Sequence, residues 1–93
     1  MPVSRTDFTP GVTSGNSITT TLDAGEYSLQ QVTEGFKIPQ YDYIFIEYKS
    51  GAPGDGEIEY VTYRTGGETG QIVSKLFLEY TADGLTKVTR TDS

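Results

Sequence analysis

Three carboxylates alternate along the stretch GDGEIE: Asp55, Glu57 and Glu59. Two chemistries use such a set. Glu57 and Glu59, two positions apart on a strand, share a face and resemble the paired carboxylates of general acid–base catalysis. That role needs an apolar setting to move one pKa. The Gly-rich loop beside them is solvated, so a charged exposed face is the better reading. The same residues, with flexible backbone carbonyls nearby, also offer the oxygen ligands that calcium takes. The spacing departs from an EF-hand loop, which continues to a Glu at its twelfth position. A plain hairpin loop is expected, with no catalytic residue, no metal and no cofactor.

Nucleophilic catalysis lacks its base. The chain has no His and no Cys, so neither a Ser-His-Asp nor a Cys-His arrangement is available. Ser74 and Lys75 are adjacent on a predicted strand and point to opposite faces. The run GGETG (66–70) lacks the Gly-Lys-Ser/Thr ending and the following helix that a phosphate-binding loop requires, so it reads as a turn. The tyrosines remain. Tyr41, Tyr43, Tyr48, Tyr60, Tyr63 and Tyr80 all fall in predicted strands. Tyrosines pack in cores with their hydroxyls reaching the surface, and they also make contact surfaces. Tyr43, Tyr60 and Tyr63 are the candidates for a face that meets another protein or lines a carbohydrate or peptide groove. The absence of Trp favours protein contact over sugar.

The strands that must position these residues are legible from Tyr41 onward. YDYIFIEYK (41–49) has strong β composition. Tyr43, Phe45 and Glu47 share one face, and Ile44, Ile46 and Tyr48 the other. Both faces carry large apolar groups, so this strand is expected to be central and covered on both sides near Phe45. EIEYVTYRT (57–65) and QIVSKLFLEY (71–80) follow, separated by Gly-rich turns. LTKVTRT (85–91) is polar and expected at a sheet edge. Between the last two lies Ala82-Asp83-Gly84. A three-residue loop with Gly84 in the left-handed region sets Thr81 opposite Leu85, Leu78 opposite Val88 and Glu79 opposite Lys87. The fold class is therefore all-β: a small antiparallel β-sandwich or meander, with four C-terminal strands in hairpins.

The chain divides near residue 36. Residues 1–36 are rich in Ser, Thr and Gly and are expected to form an extended or partly ordered N-terminal arm. Residues 37–93 form the antiparallel β domain. Within the arm, Phe8, Val12, Ile18 and Leu22 are candidate partner contacts, and GEYSLQQVT (25–33) reads as a short strand. Removing residues 2–24 is expected to leave the meander folded.

Ninety-three residues with 13 acidic and 7 basic side chains carry a formal net charge of −6. The basic residues are scattered, which argues against a nucleic-acid partner. It also argues against a polybasic membrane anchor. No apolar run approaches the roughly 20 residues of a membrane helix. Residues 1–5 are not expected to act as a signal peptide. With no Cys there are no disulfides, which fits assembly in a cytoplasm.

The run from Pro39 to Thr91 resembles a group of short proteins encoded by tailed bacteriophages. The residues that carry the likeness are Tyr41 to Ile44 and Tyr48, then Val61, Tyr63, Arg64, Gly66, Gly67 and Gly70. Val73, Leu76, Leu78 and Tyr80 continue it, and Gly84, Leu85, Val88, Thr89 and Arg90 close it. The resemblance implies a non-enzymatic structural subunit of the virion, assembled in the host cytoplasm. A neck or tail adaptor or a fibre-attachment protein is the first expectation. A capsid decoration protein, or a small carbohydrate- or peptide-binding module, is the alternative. The implied partners are other virion proteins and further copies of the chain, as a homo-oligomer or as a ring or lattice subunit.

Overall fold

The computed structural model describes residues 3–5, 8, 13–14, 17–38 and 40–92. Six strands and one helix follow in the order β1 (Thr13–Ser14), β2 (Ser17–Gly25), α1 (Leu29–Phe36), β3 (Tyr43–Tyr48), β4 (Ile58–Thr65), β5 (Gln71–Thr81) and β6 (Gly84–Asp92). All strands join one antiparallel sheet in the order β1-β2-β6-β5-β4-β3. The all-β class and the C-terminal meander are as expected. Among the described residues there is a single sheet, so the layers are sheet and helix.

One face of the sheet carries the core. Val61 and Tyr63 from β4, Leu76 and Leu78 from β5, and Leu85 and Val88 from β6 are buried together with Val32 and Phe36 of α1. Alternation along β4 and β5 puts these side chains on one side, a bulge between Leu85 and Lys87 brings Leu85 to the same side as Val88, and α1 covers them. Two polar contacts fix the helix there. Thr33 Oγ1 and the Tyr63 hydroxyl share a hydrogen bond of 2.5 Å. Arg90 Nη1 donates to the carbonyl of Phe36 at 2.6 Å.

The helix corrects the expected strand at residues 25–33. Ser28 caps it: its Oγ accepts from the Gln31 amide, and Gln31 Oε1 accepts from the Ser28 amide. This reciprocal pair satisfies two amides that a first helical turn leaves open. Leu29, Val32 and Phe36 then recur at helical spacing and face the sheet. The Ser-x-x-Gln pattern stands in the sequence, between two glycines, Gly25 and Gly35, that also resemble strand ends. Gly35 instead gives the Phe8 ring room against the helix.

The arm is corrected over residues 17–36. β2 pairs along β6, with Ile18 opposite Arg90, Thr19 opposite Thr89 and Thr20 opposite Val88. The Thr run of β2 is β-branched and suits a ladder. Its even members face the core, and its odd members meet polar partners on the other side. β6 is therefore interior and not the expected edge strand. The edge is β3, which was expected to be central and covered on both sides. Nearer the N-terminus, Ser4 bridges to Glu26, and Gln31 Nε2 donates to the carbonyl of Arg5 at 2.8 Å.

The β5–β6 hairpin keeps the expected core register, with Leu78 opposite Val88 and Glu79 opposite Lys87. Lys87 Nζ stands 3.7 Å from the Glu79 carboxylate. The turn itself is tighter than expected. Thr81 faces Gly84 and Tyr80 faces Leu85, so the loop has two residues and the extra residue is a bulge at Thr86. Gly84 has φ +126°. A Cβ there would fall on the carbonyl oxygen of Gly25 in the adjacent strand.

Candidate functional site

The face of the sheet opposite α1 has no cover among the described residues. Its β3–β4–β5 corner is aromatic. Tyr60 and Phe77 lie opposite each other, and their rings stack with centroids 4.9 Å apart and planes 15° apart. Phe45 sits one step away, opposite Thr62. Tyr43 is on the same side of β3 by alternation. Phe45 is 49 % exposed, Tyr60 37 % and Tyr48, at the end of β3, 64 %. Three of the four large exposed apolar side chains among the described residues thus belong to β3 or its neighbour. Away from this corner the open face is polar, with Thr19, Thr21, Lys75, Glu79, Lys87 and Thr89.

The patch ends at a strand edge that no strand among the described residues pairs with. β3 is last in the sheet order, and the opposite end of the sheet is a strand of only two residues. An edge of six residues with one acidic side chain and no proline is poorly protected against further pairing.

Of the candidate contact residues, the structure brings Tyr43 and Tyr60 to this face and sends Tyr63 to the other. Tyr63 is wholly buried, with Tyr41 edge-on against its ring at 5.0 Å. Burial pushes its phenol up, against a lowering by the Thr33 hydrogen bond. No groove can be lined by all three tyrosines. Phe8, Ile18 and Leu22 pack within the chain itself. The Phe8 ring meets Phe36 at 5.1 Å and Tyr27 at 6.0 Å, both edge-on. Val12 lies outside the described residues.

The acidic stretch disperses. Asp55 Oδ1 accepts from the Gly51 amide at 2.9 Å. Glu59 is the bulged residue between Ile58 and Tyr60, and its carboxylate stands 4.0 Å from Lys49 Nζ. Glu57 is in the turn ahead of β4. Among the described residues no group of three or more acidic side chains is placed to hold a metal ion. The GGETG turn does cradle an anion, and that anion is Asp42. Its carboxylate accepts from the Gly66 amide at 3.0 Å and the Gly67 amide at 2.9 Å. These bonds, Gly67 first, hold the Asp42 carboxyl below its usual range. The successive amides form a nest whose occupant is built in, and the bond pins the start of β3 to the β4–β5 turn.

A cleft of about 720 Å³ opens elsewhere, between the start of α1, the 51–57 loop and the β5–β6 turn. Glu26, Asp55 and Glu57 are its charged lining residues, and Tyr27, Pro53 and Leu85 its principal apolar ones. Gly54 lies directly on the Tyr80 ring, with room for no Cβ. The Tyr80 hydroxyl donates to the Ile58 carbonyl at 2.6 Å. Burial, and next the nearby Glu57 charge, push its phenol up to about 12.

No protein-family model, curated protein or solved structure matches the chain. No helix among the described residues is long and apolar enough to cross a membrane.

Proposed function

We propose that this protein is a non-enzymatic structural subunit of a tailed bacteriophage particle, acting as a neck or tail adaptor or at a fibre-attachment point. The observation that carries a protein-contact role is the aromatic corner of Phe45, Tyr60 and Phe77 beside β3, the last strand of the sheet. Clustered exposed aromatics bordered by polar residues are the composition of protein interfaces. The assignment to a phage particle rests on the resemblance of residues 39–91. Placement within the particle is read from copy number: a neck or fibre-base protein is present in few copies, and a capsid decoration protein in many. Quantitative mass spectrometry of purified particles tests both. The chain is expected at a fixed ratio to the major virion proteins, and its absence from washed particles refutes the reading.

The cleft beside α1 favours a second reading, a small binding module. Its apolar and acidic lining suits a short basic peptide. This reading expects a monomer whose ligand protects residues 51–57 from hydrogen exchange and leaves the aromatic corner unaffected.

A further inference from the structure

We infer that β3 pairs with β3 of a second copy of this chain, antiparallel about a two-fold axis through Phe45, to make one continuous sheet across two subunits. The inference rests on reading the aromatic corner as a protein-contact surface, and it names the partner.

The two ends of the sheet differ. At one end the ladder finishes in a two-residue strand. At the other, Tyr43–Tyr48 presents the outward amides and carbonyls of alternate residues, with Phe45 and Tyr48 exposed on the strand. Such a row is a template for another strand.

The side chains of β3 then select the occupant. In a two-fold antiparallel pair, opposed residues lie on the same face. The axis must therefore pass through a residue, and each choice of residue makes a definite set of pairs. With Phe45 on the axis, Phe45 meets Phe45 of the partner subunit on the open face. Ile44 meets the partner's Ile46 on the helix side, twice. Tyr43 meets the partner's Glu47, twice, so the carboxylate faces a phenol that can donate to it. Phe45, Ile44 and Ile46 each have an apolar opposite, Glu47 has a hydrogen-bond donor, and Tyr48 at the strand end faces the partner's Asp42 with a phenol that can donate to it. The neighbouring registers lose this match. An axis through Ile46 sets Glu47 against the partner's Phe45. One through Ile44 sets Ile46 against the partner's Asp42, a carboxylate already held by Gly66 and Gly67. One through Glu47 opposes two like charges. The near-palindrome Ile44-Phe45-Ile46 thus has a physical use. It also makes the two aromatic corners contiguous, so that Phe45, Tyr60 and Phe77 of both copies form one patch.

Sedimentation equilibrium of the full chain, from roughly 10 μM to 1 mM, tests this. A reversible dimer is expected. Phe45→Lys puts two positive charges on the axis and should leave a monomer of unchanged circular dichroism, since residue 45 is exposed. Tyr43→Lys creates two Lys–Glu pairs and should tighten the dimer about tenfold. Tyr43→Glu creates two Glu–Glu pairs and should loosen it by about the same factor. A chain that stays monomeric at 1 mM overturns the inference. So does a dimer that survives Phe45→Lys, or one that responds alike to Tyr43→Lys and Tyr43→Glu. The proposed function fails separately: a dimer absent from particles refutes that function and leaves β3 pairing standing. A Phe45→Lys monomer that enters particles at the normal ratio refutes β3 pairing as the assembly contact.

Discussion

Arg90 reaches across the core from β6 to α1 and donates to the main-chain carbonyl of Phe36 at 2.6 Å, while its other nitrogens hold Asp92 at 2.8 and 3.1 Å. A guanidinium this buried is stable only with its partners in place. One residue thus caps the helix's C-terminal end and orients the last carboxylate of the sheet. Arg90→Leu removes the donor from a helix carbonyl and from Asp92 together. A loss of about 2–3 kcal/mol is expected in urea unfolding at neutral pH. A loss under about 0.5 kcal/mol would mean that the contact does not hold the helix.

Acid should undo the same contact. Burial raises the Asp92 pKa, but the Arg90 and Ser74 hydrogen bonds and the Arg90 charge outweigh it, and the net position is below the usual carboxylate value. A native pKa below the unfolded one adds stability that is complete above the unfolded value and is lost as pH falls through the native one. Asp42 shifts in the same direction. Stability should therefore be flat near neutrality and fall below about pH 4. Asp92→Asn and Asp42→Asn should each flatten that fall in urea titrations between about pH 2 and 7. An unchanged acid limb in the double variant would contradict the assignment.

Alkaline titration should find Tyr80 late. Its folded pKa of about 12 exceeds the unfolded value of roughly 10. Its contribution is therefore complete below pH 10 and declines as pH rises toward 12. Phenolate absorbance of the folded protein should show a late-ionising fraction that Tyr80→Phe reduces. Equal, early ionisation of all the tyrosines would mean that the 51–57 loop does not cover Tyr80.

Gly84→Val should cost about 3 kcal/mol or more. A β-branched residue is strained at φ +126°, and here its Cβ also collides with the backbone of Gly25. Turn strain alone would cost about 1–2 kcal/mol. Chemical denaturation of the variant separates the two, and the smaller value would mean that β2 does not pass so close.

Deleting residues 2–24 should abolish cooperative folding. The deletion removes β1 and nearly all of β2, exposes an edge of β6, and uncovers Val88 and Leu85. A melt followed by circular dichroism that keeps a sharp transition would show that the C-terminal strands are self-sufficient.

The contrast between those last two regions shows what was legible in the chain. Glu79 opposite Lys87 and Leu78 opposite Val88 could be read because one short turn fixes a register, and only one register satisfies both faces. The place of β2 could not. Its partner is some 70 residues away, and ITTT carries no local sign of which strand it will meet. The place of β3 is hidden for a related reason. Phe45 on the face opposite Ile44 and Ile46 looks like burial on both sides, and nothing local distinguishes a covered face from one left open. Tyr63 shows the same limit within the site: alternation put it opposite Tyr60, but only α1, with Thr33 at its hydroxyl, shows which of the two is inside. The capping box at Ser28 and Gln31 is local and legible, but the glycines at 25 and 35 that flank it are equally compatible with strand ends.

The most direct test of the account compares particles made with the natural chain and with Tyr60→Lys. Tyr60 is on the open face, one strand in from the β3 edge, so the variant should keep the fold, its melt lowered only by the loss of the stack on Phe77. Quantitative mass spectrometry of washed particles should find the natural chain at a fixed ratio to the major virion proteins. The Tyr60→Lys chain should be depleted by at least about tenfold, as expected when a charge is buried in an aromatic contact. Equal incorporation of both chains, or absence of the natural one, would contradict the claim that this aromatic corner is the surface by which the protein joins a particle.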